Sequence, residues 1–549
     1  MNWLRTDRAL WLAAAVLMVA EFSLFDRMTS RHHASLYPRW NDQIQYLTEA
    51  YTAYEKSRAA GFGAGLEHTL TKTALQGTLH DTAALCVFTL AGSASRSAAL
   101  SLNLLVFLAW QAALLFTVRR LTGSRALAWI AFGLALCVAF PWSNQPGSAV
   151  DFRLDHAAMC LLGVAACAAL LTDGFRRTGW SCAFGAAVGV TLLTRFLTGA
   201  YFAVIFVALA VWLLCGADRW RRLARLAAAG AIAAAMAGPV FWHNREAIYT
   251  YYWVGHVTGA ESAARLPGLD ALHSLQFVFG KLAALHLGAF LGWTVAALTA
   301  AFALLALAAR RRDGSTPPAR RDWLFVAAVF VLLPGLVLSF HRQKSEFVLG
   351  VLVPGALLLA LGLWAWLADR ADFSGARRWS ARLLGALALG AVAAGATFFV
   401  QRQLAPAYDA DSLASARTVN AVSDRIFATA KARHITDPYI AVDQIVDYLD
   451  APILAVTCYE RKKTWMNFVI QLPNSILEEK DEAVFYKVKL CHFVVLTDQM
   501  QGNGYWPYDR QMRRLYPQLK AWCEANLERL ESFEIYGRKL SLYTQKPRS

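Results

Sequence analysis

The chain has 549 residues, 57% of them hydrophobic and only 17% charged, with a mean hydropathy of +0.36. Soluble proteins carry about 25% charged residues, so this composition excludes a wholly water-soluble protein. The formal charge of +16 would suit a nucleic-acid binder, but the arginines cluster in short connections between apolar segments, the pattern of cytoplasmic loops in membrane proteins.

Taken in order, the first apolar segment runs from Ala9 to Phe25, behind Arg5 and Arg8. No small-residue cleavage site follows it and further spans do, so it is read as a retained helix and not as a signal peptide. A polar stretch leads to Leu79, and Ala83–Ala91 is then too short to cross a hydrocarbon layer of ~30 Å. This piece is expected to lie on the membrane surface or dip into it. Clear spans follow near 98–117, 126–141, 156–172, 181–198, 200–215, 226–242, 285–308, 323–340, 347–367 and 383–400. The fold class is therefore mainly α, a polytopic membrane protein of about eleven transmembrane helices.

The basic connections orient it. Arg119-Arg120, Arg176-Arg177, Arg219 to Arg225, Arg310 to Arg321 and Arg370 to Arg382 fall in alternate loops. All become cytoplasmic if the N-terminus is inside, as the positive-inside bias requires. The outer face then receives the segments 26–80, 142–155, 243–284 and 341–346, together with everything after the last span.

From near Ala405 the composition shifts: long apolar runs stop, while Asp, Glu and Lys become frequent. Tyr439–Val442, Ile453–Val456 and His492–Leu496 are predicted as buried strands, Ser412–Ala432 and Tyr508–Leu530 as helices, and Phe533–Gly537 with Leu540–Tyr543 as a closing pair of strands. Residues 1–402 are thus expected to form the transmembrane unit and residues 403–549 a soluble extracytoplasmic α/β domain.

Several outer segments carry chemistry. Asp42-Gln43-Ile44-Gln45-Tyr46 follows the first span among aromatic residues, and Lys72 closes the stretch Leu66–Lys72. Asp151-Phe152-Arg153-Leu154-Asp155-His156 runs straight into the fourth span, a depth at which charge is costly unless paired or functional; Asp155 also suits a helix N-cap. Gly185, Gly189 and Leu192-Leu193-Thr194-Arg195 close the fifth span, and Arg342, Lys344, Phe347 and Pro354 form a late turn and span. In this order, these motifs resemble the GT-C class of membrane glycosyltransferases, with lipid A aminoarabinose transferases and protein O-mannosyltransferases nearest in pattern. The chain departs from that pattern at Gln43, where the class has Glu, at Gln45, where it often has Arg, and at Thr73-Ala74, where aminoarabinose transferases have Pro-Pro. The sugar and the subfamily stay open.

The resemblance implies transfer of a sugar from a polyprenyl-phosphate donor to a lipid, glycan or protein acceptor on the outer face of a bacterial plasma membrane. Such a reaction needs a carboxylate to take the acceptor proton and positive charge for the departing phosphate. Asp42 is the expected catalytic base and Asp155 is expected to share that role or orient the acceptor, while Lys72, Arg342 and Lys344 are the expected phosphate partners. Tyr46, Arg153, Arg245 and Tyr252 are expected to contact substrate, the last two from the aromatic-rich loop that opens at Trp242. With no separate nucleophile evident, inversion in a single displacement is expected. No cofactor is required by this scheme, although Asp42, Asp151 and Asp155 form an acidic set that would hold Mg²⁺ or Mn²⁺ if one is used. His68, His80, His243 and His256 show no compact zinc-ligand spacing. The rival class is a transporter or flippase of a lipid-linked glycan, against which the spans show few ionisable residues near their middles.

The orientation is testable. In a background without native cysteines, Ser35→Cys, Ser262→Cys and Ser475→Cys should react with a membrane-impermeant thiol reagent in intact spheroplasts, and Ser315→Cys should not. Labelling at Ser315→Cys alone would invert the topology.

Overall fold

The computed structural model describes residues 7–34, 36, 41–258, 270–308, 310–311, 318–341, 344–372, 377–405, 410–443, 451–466, 468–472, 480–498, 507–535 and 537–546. The helices up to Leu404 are α1 (Arg8–Met28), α2 (Asn41–Ala60), α3 (Phe62–Thr71), α4 (Leu79–Ala91), α5 (Arg96–Thr122), α6 (Arg125–Leu136), α7 (Leu154–Leu171), α8 (Thr178–Thr194), α9 (Thr198–Leu214), α10 (Arg219–His243), α11 (Ala271–Lys281), α12 (Gly288–Ala308), α13 (Pro318–Phe340), α14 (Val353–Arg370) and α15 (Arg377–Leu404).

Eight helical segments among the described residues are long and apolar enough to cross a membrane: Arg8–His33, Arg96–Thr122, Leu154–Leu171, Arg219–His243, Ala271–Leu304, Arg320–Phe340, Glu346–Asp369 and Arg382–Leu404. The shorter apolar helices α6, α8 and α9 complete the set expected from the sequence, and the chain is a multi-pass membrane protein. One span differs from its expected length. α6 has 12 residues, about 18 Å of helix, and the apolar run beyond it continues as a turn into a short 3₁₀ segment at Phe140–Trp142. Ser95 and Ser124 start α5 and α6 by accepting the amides of Ala98 and Leu127 at 3.3 and 3.2 Å, satisfying donors that a helix N-terminus otherwise leaves unpaired. α4 packs on α2 and α5 through buried Ala84, Leu85 and Phe88.

The C-terminal part is an α/β sandwich. Its helices are α16 (Ala410–Ala432), α17 (Ala451–Lys462), α18 (Asp481–Leu490) and α19 (Pro507–Asn526), and its strands are β1 (Tyr439–Asp443), β2 (Phe468–Leu472), β3 (Phe493–Thr497), β4 (Leu527–Ile535) and β5 (Arg538–Gln545). The sheet order is β2-β1-β3-β5-β4, with β1 parallel to β2 and β3, and β5 antiparallel to β3 and β4. Alternate strand residues point to opposite faces. Ala441, Val494 and Leu496 meet α18 and α19, whereas Ile440, Val442, Phe493 and Val495 join the core that includes Val419, Ile426 and Leu454 of α16 and α17.

Three expectations are corrected here. Ile453–Val456 is not a strand but part of α17, because parallel strands β1 and β2 need a crossover and a helix supplies it; a short apolar run cannot by itself be told from a buried helix segment. The helix expected over Tyr508–Leu530 stops at Asn526, and Leu527–Leu530 open β4. The edge strand β2, Phe468–Leu472, is additional to the strands expected.

α17 docks the sheet domain onto α2, the helix that begins beside Asp42. Glu460 accepts hydrogen bonds from Tyr51 at 2.7 Å and from Arg96 at 2.6 and 3.2 Å, and Tyr459 donates to Glu55 at 2.6 Å. The Tyr51 and Tyr459 rings meet at 4.9 Å, and Lys463 donates to the Ala94 carbonyl at 2.7 Å. Removing one member of a buried ion pair costs about 3–5 kcal/mol because the other charge is stranded. Glu460→Ala should therefore lower amide-exchange protection along α17 and the second half of α2 by on the order of 10²-fold, as read by hydrogen–deuterium exchange of the full-length protein. Unchanged protection would show that the aromatic contacts alone hold the dock.

Candidate active site

The loop between α6 and α7 forms the floor. Asn103, fully buried in α5, donates its amide to the carbonyls of Ala149 and Asp151 at 3.0 and 2.8 Å. Gly147 adopts φ +80°, and a Cβ there would sit 2.9 Å from Cβ of Phe347 and 3.3 Å from Cβ of Asp155. Glycine is thus required both for the left-handed turn and for room. The Gly147 amide donates to Asp151 at 2.6 Å. Gln43 accepts the Phe152 amide at 3.1 Å and ties the start of α2 to this loop.

Three carboxylates share two guanidinium groups on this floor. Arg153 Nη1 lies 3.2 Å from Asp42 Oδ2, and its Nε 3.1 Å from Asp151 Oδ2. Arg195 Nη1 lies 2.8 Å from Asp155 Oδ2. The Asp42 side chain is 48% exposed, against 0% for Asp151 and 4% for Asp155, so Asp42 is the acid that faces outward. Burial pushes the Asp151 carboxyl up to about 7, although Arg153 and the Gly147 amide pull it down. The Arg153 guanidinium also stacks 4.9 Å over the ring of Phe347, which suits its delocalised plane.

A strap of α3–α4 linker presses the end of α8 into place. Thr78 donates to the Leu193 carbonyl at 2.9 Å, and Phe196 to that of Gln76 at 2.6 Å. A Cβ on Gly77 would fall 2.1 Å from the Thr194 carbonyl oxygen. Tyr46 donates to Gln76 Oε1 at 2.6 Å, and Gln76 Nε2 donates to Tyr251 at 2.8 Å; burial, and then the Asp42 charge, hold the Tyr46 phenol above its ordinary pKa. The result is a pocket of about 70 Å³ whose lining includes Asp42, Gln76, Arg195, Tyr252, His341 and Phe347.

Among the expected residues, Asp42 and Tyr252 line this pocket, while Asp155, Arg153 and Tyr46 contact its wall. Lys72 lies outside the lining, bound to Asp81 at 2.5 Å and Glu49 at 3.3 Å. Burial opposes its charge, but those two acids outweigh burial and raise its pKa. Lys344 gives its ammonium to the carbonyls of Ser339 and His341, both at 2.7 Å, and of Leu338 at 3.3 Å, capping the end of α13. Arg245 lies on the surface over Trp242 and beside Glu246. Arg342 lies outside the described residues, as does the side chain of His256. Gln76 and His341 were not expected as site residues, Asp151 was expected only as a member of the acidic set, and Arg195 was noted only within a motif.

A divalent cation takes six or more oxygen ligands. Here each carboxylate of the expected acidic set faces a guanidinium, and among the described residues no three His, Cys, Asp or Glu side chains converge. As arranged, these acids pair with Arg153 and Arg195.

The sequence matches no protein-family model and no curated protein sequence. The fold does have solved counterparts. ArnT from Cupriavidus metallidurans in the apo state superposes with a TM-score of 0.59 at 15% identity, covering 97% of this chain and 98% of that one. ArnT bound to undecaprenyl phosphate gives 0.56 at 15% identity, over 96% and 97%. The archaeal oligosaccharyltransferase AglB from Archaeoglobus fulgidus, in complex with an inhibitory peptide and a dolichol-phosphate, gives 0.50 at 11% identity, over 95% of this chain and 72% of that one. The chain is therefore a polytopic membrane protein of the GT-C fold with a C-terminal sheet domain.

The strap makes a sharp prediction. Gly77→Ala drives a methyl into a backbone oxygen that cannot rotate away, so it should lower the thermal midpoint and monodisperse yield in detergent. Gly63→Ala, within α3 with nothing within 4 Å of the added Cβ, should match or exceed wild type by about 0.5–1 kcal/mol. Equal behaviour of the two variants would contradict the strap geometry.

Proposed function

We propose that this protein is a glycosyltransferase that moves a sugar from a polyprenyl-phosphate donor to a hydroxyl-bearing acceptor at the outer face of a bacterial plasma membrane. The observation that carries the reading is one pocket holding an outward-facing carboxylate, Asp42, and a guanidinium, Arg195, in a fold whose counterpart ArnT was solved with undecaprenyl phosphate. Residues 1–402 form the catalytic unit, and residues 403–549 form the domain that braces it.

In this reading, the acceptor oxygen attacks the anomeric carbon and its proton passes to Asp42. The bond from that carbon to the phosphate oxygen breaks, and the phosphate leaves with the electron pair. Arg195 meets the developing charge with planar donors suited to phosphate, and Lys72, held by Asp81 and Glu49 at the start of the strap, would need to leave those acids to reach the phosphate. Arg342 supplies a further cation from the late turn, and Lys344 fixes that turn. Arg153 holds Asp42 in place, and Asp155 aims Arg195. Tyr46 and Tyr252 shape the sugar side of the pocket, and Arg245 meets the membrane-borne acceptor at its surface. Attack opposite the phosphate inverts the anomeric centre. A flippase would leave the sugar attached to its carrier and gives Asp42 no proton to take.

Mass spectrometry of membrane glycolipids and envelope glycans tests this. Cells without the protein should lose one defined sugar, wild type should restore it, and Asp42→Asn should restore at most about 1%, since a general base contributes roughly 10²–10⁴-fold. Full restoration by a folded Asp42→Asn protein would remove Asp42 from the chemistry; an unchanged glycan profile would remove the transferase reading.

A further inference from the structure

A second cavity, of about 260 Å³, opens at the same end of the bundle. Its walls come from three places: the π-helical turn Thr29–His33 after α1, the loop after Trp142, and the last turn of α15. They present His32, His33 and Arg402, with the amides of Asn144, Gln145 and Gln403 between them. Among the described lining residues there is no carboxylate, in contrast to the Asp42 pocket.

Arg402 is a permanent cation, held 5.1 Å over the ring of Phe398. Imidazole N–H groups can donate to an anion. Amide N–H groups add neutral donors. With Arg402 as its fixed charge and no carboxylate among the described lining residues, this set favours an anion. A water occupies about 30 Å³, so the cavity admits roughly nine water-sized groups, enough for a phosphate with part of what it is attached to.

Position gives the cavity its meaning. The loop that supplies Trp142–Gln145 and Val150 to this cavity continues into Gly147, whose amide binds Asp151, and Asp151 pairs with Arg153 beside Asp42. One loop is therefore the wall between the two cavities. We infer that this second cavity binds an anionic group, phosphate or carboxylate, carried by the acceptor. In this assignment, which rests on the transferase reading, the anion is anchored on one side of the wall while the acceptor's hydroxyl reaches Asp42 on the other.

Binding can be measured without turnover, so its outcome is separable from that of the glycan analysis. Full-length protein in phosphatidylcholine nanodiscs is titrated with dioctanoyl phosphatidic acid in one arm and with glucose 1-phosphate in the other, by microscale thermophoresis. Saturable binding of the first alone makes the anion lipid-borne, binding of the second makes it accessible from water, and either supports the site. Arg402→Gln, and the double variant His32→Gln with His33→Gln, should each weaken binding at least about 10-fold, the loss expected for a hydrogen bond to a charged group. Arg402→Lys should largely retain it. Gln145→Glu, at an exposed position that tolerates substitution, should weaken it by placing a carboxylate in the wall. The assignment is overturned if neither probe binds, or if these variants bind like wild type while Arg195→Gln loses affinity, which would place the anion in the Asp42 pocket.

Discussion

Two guanidinium groups set among three carboxylates at one end of the bundle are the constraint on which the rest of the structure turns. Buried charge is tolerated only when it is paired and hydrogen-bonded, and here each member faces an opposite charge. Arg153 answers both Asp42 and Asp151, and Arg195 answers Asp155. Two guanidinium groups serve three carboxyls, and it is Asp42, the exposed member, that faces the pocket. The same arrangement leaves Arg195 in the pocket wall, so that acid and cation meet one space.

The scaffold reads as a set of devices for holding that cluster still. Asn103 and Gly147 fix the loop, Gln43 pins the start of α2 to it, and the Gly77 strap locks the end of α8. The sheet domain then grips α2 farther along, through Glu460 and the Tyr51–Tyr459 contact. α2 is thus tied at both ends, one to the membrane part and one to the domain outside it. A catalytic carboxylate gains from such fixing, since misplacement by ~1 Å can cost 10²-fold.

The bundle was legible in the sequence because hydrophobic length and arginine placement are strong local signals. Asp42 and Asp155 were legible because an acid at the edge of an apolar span demands a partner or a purpose. Their partners were harder. Arg195 ends a span more than 150 residues beyond Asp42, and nothing local says that it meets Asp155 or shares a pocket with Asp42. Gln76 and Asn103 are ordinary polar residues until the fold places carbonyls and phenols beside them. Lys72 and Lys344 had the expected charge, but the fold gives Lys72 two acids and Lys344 three carbonyls, details set by helix ends and not by spacing. In the sheet domain, Ile453–Val456 misled because four apolar residues fit a buried strand and a buried helix equally well.

The central claim is that Arg195 meets the phosphate of a polyprenyl lipid. Native mass spectrometry of the purified protein ejected from nanodiscs doped with undecaprenyl phosphate tests it most directly. Wild type should retain one lipid per chain, and Arg195→Gln should lose most of that adduct while keeping its folded charge-state distribution. Equal retention by the two proteins would contradict the account.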